Sequence, residues 1–168
     1  LLGQEDRNSH IVGSYGLQLS SKFQRGILKF TRHKHFKTIF PEFSGFIEGS
    51  KNMLLAGGEV MSTSPGGALT GFTAGSYSLD SKTVGTMFVD DPLKNSDSMA
   101  ALQGLETWWA EEASTRRTNR WAQVLIATRF HTRDLHGILM DGDGMYDPED
   151  NPQGWRWLNI PAICESAA

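Results

Sequence analysis

Three absences restrict what this sequence can encode. The 168 residues contain one cysteine, Cys164, so no internal disulfide framework is possible, and a reducing compartment is the simpler expectation. No apolar run approaches the roughly 20 residues that cross a bilayer, so we expect no transmembrane span. The formal net charge of -3 argues against a protein that coats nucleic acid through its overall charge, although it permits a local basic track.

The amino-terminal residues have neither an initiator Met nor the pattern of a signal peptide. The chain starts at Leu1 without a basic segment followed by an apolar one, and a strand is expected by about Ile11. We therefore expect the chain to begin inside a larger protein. The phosphate-binding loop Gly-x-x-x-x-Gly-Lys-[Ser/Thr] occurs nowhere in the sequence, and a His-Glu-x-x-His zinc helix is also absent.

Short apolar segments that alternate with helical patterns predict an α/β fold. Continuous apolar strands of this kind are typical of a mostly parallel sheet with helices on both faces, here as one domain over 1–168. The predicted strands are His10–Tyr15, Thr83–Val89, Val124–Thr128 and a final alternating strand at Trp155–Ile160. The predicted helices are Leu17–Thr31, one from Met99 to Trp109 that Ser96 or Asp97 would cap, and one through Leu135 and Leu139.

A stretch rich in Gly, Ser and Thr, Ser50–Ser78, separates the first helix from the next apolar strand. We expect short edge strands joined by turns there. Its loop Ser62–Gly71 could bring backbone close to a phosphate, because glycine removes the side chain that would otherwise stand between them. A plain hairpin turn is the simpler interpretation of the same residues.

Asp90 and Asp91, which follow an apolar strand and precede Pro92, are the most chemically suggestive residues in the chain. A carboxylate at the end of such a strand can hold Mg²⁺ beside nucleotide phosphates, and the next carboxylate can orient or deprotonate an attacking water. Parallel sheets bind ligands outside the carboxyl ends of their strands, which is where these acids are expected. A strand-end turn with acids that cap a helix accounts for the pattern equally well.

The next strand also ends in polar residues, Thr128 and Arg129. A hydroxyl beside the acidic strand can contact the attacking water or the terminal phosphate, and an arginine can stabilise phosphate charge. Taken alone, Thr128 is better explained as the end of a strand and Arg129 as a solvated surface cation.

Two other groups of potential ligands are interpreted as structural. The acid-rich loop Asp141–Gly154 fails the EF-hand spacing, because Met145 stands where an oxygen ligand is required. The histidines have no partner cysteines, which argues against a zinc site.

In their order along the chain, these pieces resemble the ATPase domain of phage terminase large subunits, in the branch whose acidic strand ends in Asp-Asp-Pro. The resemblance covers nearly the whole chain. Besides the opening strand and helix, the matching stretches are Gly66–Gly71, Met87–Asn95, Ile126–His131, Asp134–Gly137 and Leu158–Glu165.

The resemblance implies a RecA-like P-loop ATPase of the additional-strand (ASCE) type, incomplete at its amino terminus, with ATP and Mg²⁺ as cofactors. It implies that Asp90 binds the magnesium ion, that Asp91 takes the place of the catalytic acid, and that Thr128 couples hydrolysis to DNA movement. Gly71 and Arg129 would belong to the nucleotide-binding surface.

The same resemblance implies a homo-oligomeric ring, expected to be a pentamer, that drives double-stranded DNA into a procapsid. The ring would dock at the portal in the host cytoplasm, with the portal protein and the terminase small subunit as partners and no membrane involved. The P-loop strand is expected upstream of Leu1, and a ribonuclease H-like nuclease domain beyond Ala168. Without the P-loop, we expect the chain alone neither to bind ATP tightly nor to hydrolyse it.

Three other interpretations stay open on the sequence. A helicase of similar fold would carry Asp-Glu-x-[His/Asp] at the acidic strand, which this chain does not match. A non-catalytic prophage remnant would explain the missing P-loop, but not the presence of Asp90, Asp91 and Thr128 together. A metal-dependent nuclease built on Asp90, Asp91 and Asp141 would have to cleave DNA as the isolated chain.

The basic run Arg116–Arg120 is the candidate for DNA contact that the sequence offers. Lysine and arginine neutralise backbone phosphates, so a cluster of them is a possible contact patch. A solvated helix end is the simpler interpretation of these residues.

Overall fold

The computed structural model describes residues 8–43, 45–46, 53–54, 58–76, 80, 82–93, 98–118 and 120–160. The chain divides into two compact units, Leu1–Phe130 and His131–Ala168, each of which is described by itself. In the described ranges, no helix combines the length and the apolar character that crossing a membrane requires.

Within the described residues, the first unit is built on one six-stranded sheet. Its strands are β1 Asn8–Ser14, β2 Met53–Leu54, β3 Glu59–Thr63, β4 Gly75–Ser76, β5 Gly85–Asp90 and β6 Trp121–Ile126. They lie in the order β2-β3-β1-β5-β6, and β4 pairs with β1. The pairs β1–β3, β1–β5 and β5–β6 are parallel, whereas the short β2 and β4 are antiparallel to their neighbours. The prediction of a mostly parallel α/β sheet is therefore confirmed.

Helix α1 covers one face of the sheet and has the predicted bounds, Leu17–Thr31. Its apolar residues recur at helical spacing, so one side of the helix packs on the strands. The packed residues are Phe23, Ile27 and Leu28 on the helix and Val12, Met53 and Val60 on the strands. The Gln24 amide also donates to the Val60 carbonyl at 3.1 Å, and the Ser62 hydroxyl donates to the Ser20 carbonyl at 3.2 Å. These contacts fix the helix against β3.

The basic and aromatic segment after α1 folds into a second short helix, α2 (Lys34–Ile39), which the sequence analysis did not predict. His33 caps it, because its Nδ1 accepts the His35 N–H at 3.3 Å. Phe36 is the buried residue of α2, and its ring contacts Phe30 and Phe40. One buried aromatic residue is too little periodicity to distinguish such a helix from a turn.

Helix α3 (Met99–Trp108) begins after Ser98, whose hydroxyl accepts the Ala101 N–H. The predicted caps Ser96 and Asp97 lie outside the described residues. A π-helical turn, Trp109–Ala113, continues the helix. Its wider turn lets two consecutive tryptophans, Trp108 and Trp109, both be buried, with their rings edge-on at 6.4 Å.

The prediction of edge strands in the Gly- and Ser-rich stretch is correct for β2 but wrong for β3, which lies between β2 and β1, and the loop after β3 is not a hairpin turn. β2 lies antiparallel on β3, whereas Gly75 and Ser76 of β4 pair with Ser9 and Asn8 of β1. The fully buried Leu69 anchors the loop between β3 and β4 in the core. The interpretation of Ser62–Gly71 as a plain hairpin is therefore wrong.

The second unit contains helix α4 (Leu135–Gly142) and a loop that folds back beside it. The Asp134 carboxylate caps α4 by accepting the Gly137 N–H at 3.0 Å. In the loop, the Trp155 indole N–H donates to the Asp143 carboxylate at 2.8 Å. Asp143 thus helps to fold this loop, as does Asp147, whose carboxylate accepts the N–H groups of Glu149 and Asp150.

The predicted final strand Trp155–Ile160 is wrong, because residues 156–160 have no regular secondary structure. Arg156 and Trp157 contact groups within the second unit, whereas Leu158 and Ile160 are each 81% exposed. The Arg156 guanidinium lies 4.2 Å from the centre of the Tyr146 ring, and the Trp157 ring lies 5.7 Å from that of His136. These aromatic contacts explain why tryptophans alternate with polar residues here without forming a strand. The part of the resemblance beyond residue 160, with Cys164, lies outside the described residues.

Buried polar side chains gather where β1 and β5 begin. At this end of the two strands, four buried atoms have no hydrogen-bond partner among the described residues: Asn8 Oδ1, Ser9 Oγ, His10 Nε2 and Thr86 Oγ1. The other ring nitrogen of His10, Nδ1, accepts the backbone N–H of Thr86 at 3.2 Å. Burial lowers the pKa of His10 to about 4, so the ring is neutral in the folded protein.

His10 is expected to make the fold sensitive to mild acid. Its folded pKa lies below the unfolded value of about 6.5, so its contribution is present above pH 6.5 and is lost as the pH falls toward 4. This linkage lowers the free energy of unfolding by about 2 kcal/mol between pH 7 and pH 5. Urea unfolding at the two pH values should show that loss, and His10→Gln should show a smaller one. If the unchanged chain and His10→Gln lost the same free energy of unfolding, groups other than His10 would cause the acid sensitivity.

Candidate active site

β5 carries Asp90 to the carboxyl edge of the sheet. Buried and half-buried residues alternate along this strand, so Thr86, Phe88 and Asp90 share its less buried face. Asp90 lies in register with Ser14 of β1 and with Ile126 of β6. Three parallel strands therefore end together at Asp90, which is where parallel sheets bind ligands.

Asp91 has a φ of 48°, in the left-handed region that residues other than glycine rarely occupy. Its N–H donates to the Ile126 carbonyl at 2.7 Å, and its carbonyl accepts the Tyr15 N–H at 3.1 Å. The two bonds hold Asp91 between the end of β6 and the turn that precedes α1. Because strained residues held by their surroundings cluster at active sites, Asp91 is the leading candidate for a catalytic group.

The two acids influence each other electrostatically. Partial burial, and secondly the neighbouring Asp91 carboxylate, raise the pKa of Asp90 above its ordinary value. Both effects disfavour the ionised form of Asp90, and a bound cation would oppose them. The local electrostatics thus favour a positively charged ligand beside Asp90.

The residues at this edge fit a magnesium ion that is held together with a nucleotide. Mg²⁺ is usually bound through one or two carboxylates, with phosphates and waters as the other ligands. Asp90 and Asp91 supply carboxylates of this kind. Among the residues that the structure describes, no three His, Cys, Asp or Glu side chains lie close enough to hold a metal by themselves. A metal held by these two carboxylates would take its remaining ligands from waters or from a bound phosphate.

Ser14 and Tyr15 belong to this edge, although the sequence analysis gave them no site role. Ser14 lies beside Asp90 in register, and its fully buried hydroxyl has no hydrogen-bond partner in the described part of the chain. Tyr15 contributes the backbone bond to Asp91. One feature of the sequence could have indicated Ser14. It ends β1 just as Asp90 ends β5, and neighbouring parallel strands end at the same edge of a sheet.

Thr128 and Arg129 follow β6 at the same edge, two and three residues beyond Ile126. The bond between the Ile126 carbonyl and the Asp91 N–H brings this segment beside the acidic pair. Both side chains are exposed. Among the described residues, no hydrogen bond links Thr128 to Asp90 or Asp91, so the three could act together only through a shared ligand.

Gly71 lies in a turn with a φ of +85°, which explains locally why glycine occupies this position. No hydrogen bond between described residues joins Gly71 to Asp90 or Asp91. The first residues of the loop between β3 and β4, by contrast, directly follow β3. Thr63, the last residue of β3, is in register with Gly13, so the turn after it begins at the carboxyl edge. The role of Gly71 in nucleotide binding stays a prediction.

The basic run near the end of α3 is largely engaged within the protein. The Arg116 guanidinium forms an ion pair with Glu112 at 2.8 Å, and the Arg117 guanidinium lies 4.9 Å from the centre of the Trp121 ring. Arg120 has a φ of 50°, and Asn119 lies outside the described residues. These contacts favour a structural role for this run over DNA contact.

No family model, no curated protein and no solved structure matches this chain. Its function is therefore inferred from the geometry of the site and from the resemblance in its sequence.

Proposed function

We propose that this chain forms the acidic and coupling strands of the ATPase domain of a phage terminase large subunit, with a RecA-like fold of the additional-strand type. The observation that carries the proposal is the meeting of β1, β5 and β6 at Asp90 and Asp91, with Asp91 held at a positive φ. Thr128 follows the strand beside these acids. The activity is ATP hydrolysis that moves double-stranded DNA.

Each residue of the site has a role in this proposal. Asp90 holds Mg²⁺ beside the β- and γ-phosphates of ATP, where the ion neutralises charge during phosphoryl transfer. Asp91 orients the attacking water and accepts its proton, and it needs the water closer than a longer glutamate would. Thr128 contacts the water or the γ-phosphate and couples hydrolysis to DNA movement. Gly71 and Arg129 belong to the nucleotide-binding surface, where the arginine balances phosphate charge.

The intact protein, in this proposal, works as a ring that is docked at the procapsid portal in the host cytoplasm. Its partners are double-stranded DNA, the portal protein and the terminase small subunit. The P-loop that cradles the phosphates comes from residues outside this chain. A nuclease domain, also outside it, cuts the packaged DNA.

The coding sequence on either side of this segment gives the first test. We expect an in-frame Gly-x-x-x-x-Gly-Lys-[Ser/Thr] motif upstream and an acid-rich domain downstream. The protein expressed from that frame should hydrolyse ATP in the presence of Mg²⁺, and double-stranded DNA should stimulate it. Stop codons or unrelated sequence on the upstream side would favour the non-catalytic remnant and remove the roles given to Asp90, Asp91 and Thr128.

The chain of 168 residues gives a second test by itself. Without a P-loop it lacks most contacts to the β- and γ-phosphates, so we expect calorimetric titration with MgATP to show no binding at micromolar concentrations. The same titration of the longer protein should show binding. Micromolar affinity in the short chain would mean that the site binds nucleotide in another way.

A further inference from the structure

The charges of this chain are separated along its sequence. From Asn8 to Pro41 there is no Asp or Glu, and six Lys and Arg residues occur there. The whole chain has 16 Lys and Arg against 19 Asp and Glu, which leaves 10 against 19 elsewhere. A protein with a net charge of -3 therefore presents a strongly basic segment, and that segment consists of β1, α1 and α2.

The cations of α1 form a single line on its outer surface, which we call the basic stripe: Lys22, Arg25, Lys29 and, at the carboxyl cap, Arg32. The steps of three and four residues between them place all four on one side of the helix. All four are exposed. At 1.5 Å of rise per residue, the stripe is about 15 Å long. Lys34 and Lys37, both exposed, continue the basic surface on α2.

The basic stripe lies on the side of α1 opposite to the side that packs on the sheet. Phe23, Ile27 and Leu28 pack on the strands, and Gln24 donates to the Val60 carbonyl. The helix consequently cannot turn an apolar face toward a bilayer, as a membrane-surface helix must. In the described part of the chain, no ion pair involves Lys22, Arg25 or Lys29, so their charges are available to a partner.

Double-stranded DNA is the polyanion whose charge pattern this surface fits. Each DNA strand carries a phosphate for every 3.4 Å of rise, so a stripe of about 15 Å spans about four base pairs. We propose that the basic stripe of α1, continued by α2, is a surface that binds the backbone of double-stranded DNA without reading its sequence. The proposal rests on the proposed function for its biological partner, the packaged DNA, while the contacts themselves require no nucleotide.

This surface begins next to the acidic site. A groove of about 610 Å³ at the start of α1 is lined by Tyr15, Gln18, Lys22 and Arg25, among others. The Tyr15 N–H donates to the Asp91 carbonyl at 3.1 Å. DNA bound along the stripe would therefore lie on the helix that begins at Leu17, two residues after Tyr15.

Fluorescence anisotropy of a labelled DNA duplex, titrated with the chain of 168 residues at several salt concentrations, tests the surface. The stripe variant is Lys22→Gln/Arg25→Gln/Lys29→Gln. It should bind at least about tenfold more weakly than the unchanged chain at low salt, because three phosphate contacts are lost. Its slope of log affinity against log salt should be shallower by about 2.7, since each contact contributes about 0.9.

The matched control, Lys82→Gln/Arg133→Gln/Arg156→Gln, removes the same charge from other surfaces and should bind like the unchanged chain. A charge-preserving variant, Lys22→Arg/Arg25→Lys/Lys29→Arg, should also retain binding, which separates charge from side-chain shape. Because all the stripe positions are exposed, thermal melting should give the same midpoint for the two stripe variants as for the unchanged chain.

Three outcomes would overturn the proposal: equal losses in the stripe and control variants, no loss in the stripe variant, or binding to phosphatidylserine vesicles without binding to DNA. The readout is independent of ATP. A longer protein that fails to hydrolyse ATP would remove the motor function and leave this surface standing. An active ATPase whose stripe variant binds DNA normally would retain the motor function and remove the DNA-binding role of the stripe.

Discussion

Replacing Asp91 with asparagine in the protein expressed from the intact reading frame is expected to lower the kcat of ATP hydrolysis about 100-fold or more. The side chain can then still form hydrogen bonds to a water, but it can no longer accept its proton. Asp90 is unchanged, so the KM for MgATP should change little. Steady-state assays with Mg²⁺ and saturating double-stranded DNA give both constants.

Asparagine is the correct substitution because of the backbone at this position. Asn, like Asp, tolerates the left-handed conformation that a φ of 48° requires, so both hydrogen bonds of the Asp91 backbone can persist. Alanine tolerates it less well and would mix a loss of stability of about 1 kcal/mol with the loss of chemistry. Asp80→Asn, at an exposed position, is the control for loss of one negative charge. An unchanged kcat in Asp91→Asn would transfer the catalytic role to another residue.

The sequence was most informative where side-chain periodicity decides structure. The apolar spacing in Leu17–Thr31 predicted α1 to the residue, because that face packs on β1 and β3. The predicted strands Thr83–Val89 and Val124–Thr128 correspond to β5 and β6. Their bounds are Gly85–Asp90 and Trp121–Ile126, so Thr128 follows its strand and does not end it. For α1 and β5 the pattern follows from burial, whereas β6 has no buried residue and its Val124 and Ile126 are exposed.

The features that were not predicted depend on contacts that leave little trace in sequence. The bonds from Tyr15 to Asp91 and from Asp91 to Ile126 join backbone groups, and backbone groups are the same in every residue. The positive φ of Asp91 occurs at a residue that is not glycine, so no glycine in the sequence indicates it. At Trp155–Ile160 the opposite error arose, since aromatic contacts within the second unit imitate the alternation of a strand.

The basic stripe could be predicted from the sequence only in part. Its cations are visible in the sequence, but their common direction follows only once α1 is placed as a helix with a buried opposite face. The run Arg116–Arg120 looked equally basic. There the ion pair with Glu112 and the stacking on Trp121 occupy two of its members. Charge in sequence therefore predicts a binding surface only after its internal partners are known.

Alanine at Gly85 is expected to destabilise the fold by about 3 kcal/mol or more, because β1, β4 and β5 come closest together at this residue. A Cβ atom there would lie far inside van der Waals contact with the backbone of Gly75 and with the Ser9 carbonyl. None of these atoms is the flexible end of a side chain. The strain must therefore separate β4 from β1 or shift β5, whose register sets the position of Asp90.

Urea unfolding, followed by tryptophan fluorescence, measures the effect, and Gly26→Ala is its matched control. Gly26 lies inside α1, and apart from its chain neighbours and the backbone of its own helix no heavy atom lies within 4 Å of the added Cβ, so this variant should gain about 0.5–1 kcal/mol from the higher helix propensity of alanine. The same chemical change thus has opposite signs at the two sites. If Gly85→Ala were as stable as the unchanged chain, β4 could not lie as close to β5 as described, and the sheet edge behind the acidic site would need a different arrangement.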